Sequence, residues 1–313
     1  MIKVFIDGKE GTTGLRIFDR LSERDDLTLI TLPEKRRKDP ALRKEALNES
    51  DVSILCLPDA AAIEAVGMVE NPNTRIIDPS TAHRIADGWV YGLPEPFDGG
   101  HEAVLASKRV AVPGCHASGF ITLIAPLVRE GILKKDALLT CTSLTGYSGG
   151  GHKMIAQYES DYRDVTLKSP RLYALNQKHK HLPEMRHYTG LNEEPAFFPV
   201  VADYFSGMLT VISVFPRQLA PGMGAEDIRG IYRERYTGPL VRYREKMDEN
   251  GYLSSGKLSS RDGMDLSVAG SEEHITLLAR FDNLGKGASG AAIQCMNIMM
   301  GADQYAGLIL GED

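Results

Sequence analysis

No apolar run in the 313-residue sequence approaches the ~20 residues of a membrane-spanning helix, so no membrane partner is expected. Positive charge is not in excess either. A net charge of -6 and a pI near 5.8 argue against a general nucleic-acid surface. Cysteine is sparse: Cys56, Cys115, Cys141 and Cys295 lie far apart without ligand-type spacing, so no metal site is expected. The opening residues Met1-Ile2-Lys3-Val4-Phe5-Ile6 read as a strand and lack the apolar core of an export signal. The four thiols are therefore expected to be reduced, in a cytoplasmic protein. Low-complexity tracts and internal repeats are missing too. What remains, 42% hydrophobic and 25% charged residues, is ordinary globular composition with length enough for about two domains.

The first part of the chain alternates strand and helix. Lys3 to Ile6 runs into Gly8-Lys9-Glu10-Gly11-Thr12-Thr13-Gly14 and then a helical stretch, Leu15 to Leu21. Glycines between a strand and a helix N-terminus allow the backbone to approach a pyrophosphate, which the helix end attracts. A second strand, Leu27 to Leu32, ends at Pro33-Glu34-Lys35-Arg36-Arg37-Lys38. Arginines at this strand end suit the 2′-phosphate of NADP, whereas Glu34 keeps NAD as the less favoured option. Val52 to Leu57, apolar but for Ser53 and followed by Pro58, reads as a buried parallel strand. Arg75 to Asp78 leads to Pro79-Ser80-Thr81-Ala82-His83-Arg84, which places Ser80 and Arg84 at the crevice end of a sheet. The pattern is that of a doubly wound α/β unit.

Val112-Pro113-Gly114-Cys115-His116-Ala117-Ser118-Gly119 holds a cysteine between a Pro-Gly turn and an apolar helix, Phe120 to Val128. A thiol at a helix N-terminus ionises more easily, and only the thiolate attacks carbonyls well. The same context also suits a packed structural cysteine. Beyond it, Leu138 to Leu144 reads as a strand that ends in a flexible loop, Gly146-Tyr147-Ser148-Gly149-Gly150-Gly151, with N–H groups open to an anion. Further strands fall at Phe197 to Val201, Gly207 to Val214 and His274 to Phe281, joined by long connections rather than tight hairpins. Pro183 and Glu184 mark a helix start. His179 and His181 stand just before it, either on the surface or as the acid/base for Cys115. A last helix, Ala291 to Met300, presents Ala291, Gln294, Cys295 and Ile298 on one face and is expected to dock back on the first domain.

In this order the motifs resemble N-acetyl-γ-glutamyl-phosphate reductases, in particular the shorter branch of that family. The resemblance rests on Gly8 to Gly14, Asp78-Pro79-Ser80…Arg84, Pro113-Gly114-Cys115-His116-Ala117, His179-Lys180-His181-Leu182-Pro183-Glu184 and Asp282-Asn283-Leu284-Gly285-Lys286-Gly287-Ala288 with Gln294. It implies a Rossmann-like doubly wound domain, 1–115 completed by 290–313, and an α+β substrate and oligomerisation domain, 116–289. It implies a nucleophilic Cys115 and an acid/base histidine, with His179 favoured over His181. The cofactor, NADP, would be held by Gly8, Gly11, Thr12, Thr13, Gly14, Arg36, Arg37, Pro58, Ser80 and Gln294. An acyl phosphate, or a semialdehyde with phosphate, would be held by Arg84, Ser148, Gly149, Lys180 and Glu184. A homodimer or homotetramer is implied as well. One departure stands out: long-branch members carry an arginine before the glycine, where this chain has Asp203-Tyr204-Phe205-Ser206-Gly207. The substrate anion would need another cation, such as Arg84, Lys153, Lys178, Lys180 or Arg186. Aspartate-semialdehyde dehydrogenases, and a nucleotide-sensing protein without turnover, are the competing readings.

Overall fold

A computed structural model of the chain describes residues 1–311. Two compact units emerge, the first made of Met1–Pro94, Gly99–Pro113 and Ala288–Leu308. The second comprises Glu95–Asp98, Gly114–Gly287 and the tail from Ile309. Sequence pattern assigned Glu95–Asp98 and the tail to the first unit. Side chains decide otherwise: Asp98 pairs with Arg235 at 2.7 Å, and Asp262 accepts the Ile309 N–H at 2.8 Å.

The first unit is built on a six-stranded sheet of β1 (Ile2–Asp7), β2 (Leu27–Ile30), β3 (Val52–Leu55), β4 (Arg75–Asp78), β5 (Val90–Tyr91) and β6 (Arg109–Ala111). The strands are all parallel, in the order β2-β1-β3-β4-β6-β5. Helices α1 (Thr12–Ser22), α2 (Pro40–Glu49), α3 (Asp59–Gly67) and α4 (Gly100–Ala106) connect them. Side chains alternate across a strand, so Val4 and Ile6 enter one core while Phe5 enters the other. β3 is buried along its whole length, as a strand covered on both faces must be. The helix Gly290–Met299 lies in the core of Val4, Ile17 and Val52. It was expected to bury one stripe, but all its residues are buried, because its polar side chains Gln294 and Asn297 are satisfied by Gln304 and by Arg24 and the Ala306 carbonyl.

The second unit holds a seven-stranded mixed sheet of β7 (Thr140–Gly146), β8 (Arg171–Leu172), β9 (Ala196–Ala202), β10 (Met208–Val214), β11 (Val241–Tyr243), β12 (Met264–Gly270) and β13 (Ile275–Phe281). The order is β11-β12-β13-β10-β7-β9-β8. Helices α5 (Cys115–Arg129), α6 (Gly151–Glu159), α7 (Leu182–Thr189) and α8 (Ala225–Arg235) complete it. α5 packs against β10, β13, α7 and α8 and is buried from His116 to Val128. The opposite sheet face is open: Thr140, Thr142, Leu144, Ala196, Phe198 and Val200 are half-buried or exposed. Two expectations need correction. The glycine run after Ser148 is a tight turn that starts α6, because Gly151 at φ +70 permits the entry bend. β12 and β13 form a hairpin whose four-residue loop, Ser271 to His274, carries no Asn-Gly or Asp-Gly signal.

Candidate active site

In the first unit, the strand order reverses direction at β1, which makes the crevice between the ends of β1 and β3 the natural ligand site. A cavity of about 300 Å³ opens there, lined by Asp7, Gly8, Lys9, Glu10, Ile30, Thr31, Leu32, Arg37, Lys38, Arg43, Leu57, Pro58 and Ala61 among others. Gly8 adopts φ +84, and a Cβ on it would lie 2.3 Å from the Cys56 carbonyl oxygen. A Cβ on Gly14 would lie 2.5 Å from the Gly8 oxygen, so only glycine lets α1 start this close to the strand end. Gly11 is the residue that caps α1, and Thr12 and Thr13 form its first turn. Thr12 Oγ1 is buried without a hydrogen-bond partner. Bare N–H groups, an unsatisfied hydroxyl and a basic rim fit a dinucleotide whose pyrophosphate meets α1. The basic run is not uniform. Arg37 and Lys38 line the cavity, with Arg37 held by Glu10 at 3.7 Å and by Glu34. Arg36 faces away and pairs with Asp39 at 2.8 Å.

Other residues expected at the ligand are occupied in holding the fold. Ser80 donates its N–H and its hydroxyl to the Asp78 carboxylate, both at 2.8 Å. Gln294 is 1% exposed and donates to Gln304. Arg84 is buried and donates to the Val112 and Pro79 carbonyls, both at 3.0 Å, which secures the strand leading to Cys115.

In the second unit, Cys115 is the first residue of α5 and is half-buried. Gly114 precedes it in extended conformation, and its N–H donates to Glu184 Oε2 at 3.1 Å. Glu184 is 1% exposed and lies beneath the Pro113–Cys115 loop. On the other side the turn Gly285–Ser289 presses in, where a Cβ on Gly287 would stand 2.9 Å from Cys115 Cβ. Lys286 of this turn is buried and pairs with Glu95 at 2.6 Å.

Three imidazoles cluster beside the start of α5. His116 and His179 have ring centroids 5.6 Å apart, His116 and His181 also 5.6 Å, and His179 and His181 4.6 Å. His116 is inside the protein: Nδ1 meets Ser143 Oγ at 2.7 Å and Nε2 meets Tyr173 Oη at 2.7 Å. Burial, and then the nearby charges of His179 and Lys180, push it down to about 3, so it stays neutral. His179 Nδ1 accepts the His181 backbone N–H at 3.2 Å. That bond places the hydrogen of a neutral His179 on Nε2, where it can donate but not accept. The loop carrying both is hung on β9 by Gln177, whose side chain accepts from the Phe197 N–H and donates to the Phe197 carbonyl, both at 2.8 Å. Lys180 is exposed. Ser148 is buried and accepts from Asn283 Nδ2 at 3.0 Å, while Gly149 is exposed.

Tyr173, Ser143 and Gln177 were not legible as neighbours of this cluster, since their partners lie far along the chain. The remaining thiols are protected. Cys141 and Cys295 are buried, and burial with the Asp78 and Asp7 carboxylates pushes Cys56 up to about 12. Among the described residues, no group of side chains is arranged to hold a metal ion, and no helix is long and apolar enough to cross a membrane.

A family profile described as the semialdehyde dehydrogenase dimerisation domain matches residues 115–283. The fold is also that of aspartate semialdehyde dehydrogenase II complexed with ASA from Vibrio cholerae, at TM-score 0.71 and 13% identity, covering 96% of this chain and 98% of that one. A parallel nucleotide-type sheet, a mixed sheet and a cysteine at a helix start thus define an oxidoreductase of the semialdehyde dehydrogenase class. N-acetyl-gamma-glutamyl-phosphate reductase of Brucella ovis is 42% identical over 306 residues, 96% of this chain and 99% of that protein. The reductase of the same name from Burkholderia ambifaria is 42% identical over 303 residues, 95% and 96% of the two chains. The chain belongs to the N-acetyl-gamma-glutamyl-phosphate reductase family.

Proposed function

We propose that the chain reduces N-acetyl-γ-glutamyl phosphate to N-acetylglutamate 5-semialdehyde and phosphate, with NADPH as reductant and a thioester on Cys115, in arginine biosynthesis. The observation that carries this reading is Cys115 as the first residue of α5, beside three clustered histidines, in a chain 42% identical to named reductases. The start of α5 favours the thiolate over the thiol. The thiolate sulfur bonds to the acyl carbon, and phosphate leaves with the electrons of the C–O bond. Gly8, Thr12, Arg37, Lys38 and Pro58 would hold NADPH in the first unit, and the cofactor would supply there the hydride that a thioester carbonyl accepts far more readily than a carboxylate. The oxyanion on Cys115 then re-forms a carbonyl, the C–S bond breaks, and the thiolate is restored. One proton is consumed per turnover and ends on phosphate.

We assign that proton to His181, in place of the His179 favoured on sequence pattern. His179 Nδ1 is taken by a backbone N–H, which leaves its Nε2–H to donate to substrate oxygen. Glu184 positions the loop through Gly114. With Ser148 and Arg84 engaged in the fold, Lys180 and the N–H groups near Gly149 remain for the substrate anion. The open face around Phe198 and Leu144 supports self-association through the second unit.

The test is phosphate-dependent oxidation of N-acetylglutamate 5-semialdehyde with NADP. Cys115→Ala is expected to lose turnover while still binding NADP. Substantial residual turnover would remove the covalent scheme, and a preference for aspartate semialdehyde would remove the substrate.

A further inference from the structure

His116 is the best-connected side chain of the cluster, yet the scheme above gives it no work. It follows Cys115 directly, is 2% exposed, and has both ring nitrogens in short contacts. Behind it, Ser143 Oγ meets Thr210 Oγ1 at 3.4 Å. In front, Tyr173 is half-buried, with its ring 5.9 Å from that of His179. Four side chains from three elements and one loop thus form a line: Thr210 on β10, Ser143 on β7, His116 on α5, and Tyr173.

A neutral imidazole has one N–H, so the line can point only one of two ways. If Nδ1 carries the hydrogen, Tyr173 donates inward and turns its oxygen lone pairs toward the reacting centre. If Nε2 carries it, every donor points outward: Thr210 to Ser143, Ser143 to His116, His116 to Tyr173. The Tyr173 O–H is then free for whatever lies beyond. Cys115 directly precedes His116 at the start of α5, so the thiolate of the proposed nucleophile is the negative charge nearest this end of the line. Consistent with that, the Tyr173 hydroxyl is pushed up first by burial and then by Cys115. A negative charge at one end orients a hydrogen-bond chain toward itself, and the aligned bonds strengthen one another.

We propose that Tyr173 is a further catalytic residue. Oriented by the Thr210–Ser143–His116 line, its hydroxyl donates a hydrogen bond to the negative charge at Cys115, first on the thiolate and then on the oxyanion. The proposal rests on Cys115 being the nucleophile. His116 is a positioning residue, and its N–H stays on Nε2 throughout. No proton leaves the line, because it orients a dipole and transfers nothing.

The experiment reads the thiol directly, as the rate of iodoacetamide alkylation of Cys115 against pH, in wild type and in Tyr173→Phe. The other charged groups near this thiol are His179, Lys180, His181, Glu184 and the Lys286–Glu95 pair, all unchanged in the variant. Loss of one hydrogen bond to a charge should raise the alkylation midpoint by roughly one pH unit and cut kcat about 10- to 100-fold, with KM little changed. Ser143→Ala should move the midpoint the same way by less. An unchanged midpoint in Tyr173→Phe overturns the proposal. Nitrogen NMR of wild-type His116, above the thiol midpoint, should find hydrogen on Nε2, and hydrogen on Nδ1 overturns it independently of any variant. If turnover survives complete alkylation of Cys115, the nucleophile assignment has failed instead, a result that neither the midpoint nor the tautomer can mimic.

Discussion

Replacing Gly287 with alanine tests how tightly the turn Gly285–Ser289 holds Cys115, the proposed nucleophile. The new Cβ would stand 2.9 Å from Cys115 Cβ, 3.2 Å from the Asp282 carbonyl oxygen and 3.4 Å from Cys115 Cα. Carbon atoms in good contact are about 3.5–4.0 Å apart, so something must yield by roughly 0.6–1 Å. Neither side is soft. The start of α5 is tied through Gly114 to Glu184, and the N–H groups of Gly285 and Gly287 both donate to the Asp282 oxygen, at 3.1 and 3.0 Å. Gly285 cannot retreat, because a side chain there would already meet the Arg261 oxygen at 2.0 Å. Overpacking of this kind costs about 1–3 kcal/mol, within the ~5–15 kcal/mol of a typical domain, so the variant should fold. A displacement of the nucleophile by ~1 Å should cost on the order of 10²-fold in kcat. Steady-state kinetics and thermal melting on the same preparation measure both. Gly67→Ala is the control, since nothing lies within 4 Å of the added carbon. Activity of Gly287→Ala within about threefold of wild type, with an unchanged melting temperature, would refute the reasoning.

Arg37→Ala should raise KM for NADPH by roughly tenfold or more and leave KM for NADH alone, as expected for loss of one charge-assisted contact. Arg36→Ala should do neither, because Arg36 lies outside the cavity and pairs with Asp39. The pH dependence of stability should carry the mark of His116. Its folded value of about 3 lies below the ordinary 6.5, so the unfolded chain binds a proton that the folded protein refuses. Stability is therefore complete above pH 6.5 and is lost as pH falls toward 3, by at most on the order of 5 kcal/mol. Denaturant melts across that window should show the slope in wild type and a shallower one in His116→Asn. Brief alkylation near neutral pH, followed by peptide mapping, should label Cys115 and spare Cys56, Cys141 and Cys295.

Local signals explain what could be read in advance. Glycines after β1, the Pro-Gly before Cys115 and Pro183 at the head of α7 each act on their own few residues, so spacing alone shows where helices begin. The apolar run of β3 likewise points to burial on both sides. Roles that depend on a distant partner left no such trace. Ser148 looks like an open loop hydroxyl until Asn283, 135 positions away, donates to it. Arg84 looks like a substrate cation, and nothing local shows that it is bonded to the Val112 and Pro79 carbonyls. The proposal of His181 over His179 rests on one backbone hydrogen bond, which periodicity does not encode. The hairpin between β12 and β13 was missed because Ser271-Glu272-Glu273-His274 contains none of the residues that favour two-residue turns.

The first unit is discontinuous in the chain, and this bears on how the protein is made. By the time Ala111 has been synthesised, all six strands of the first sheet exist, but one core face of Val4, Ile6, Ile54 and Ile77 still lacks the helix that covers it. That helix is separated from them by the whole of Gly114–Gly287. At about 5–20 residues per second, the uncovered face must wait roughly ten to forty seconds on the ribosome. Meanwhile the second unit, nearly continuous, can fold as it emerges. The nascent first half thus keeps one apolar core face exposed until the chain is nearly complete.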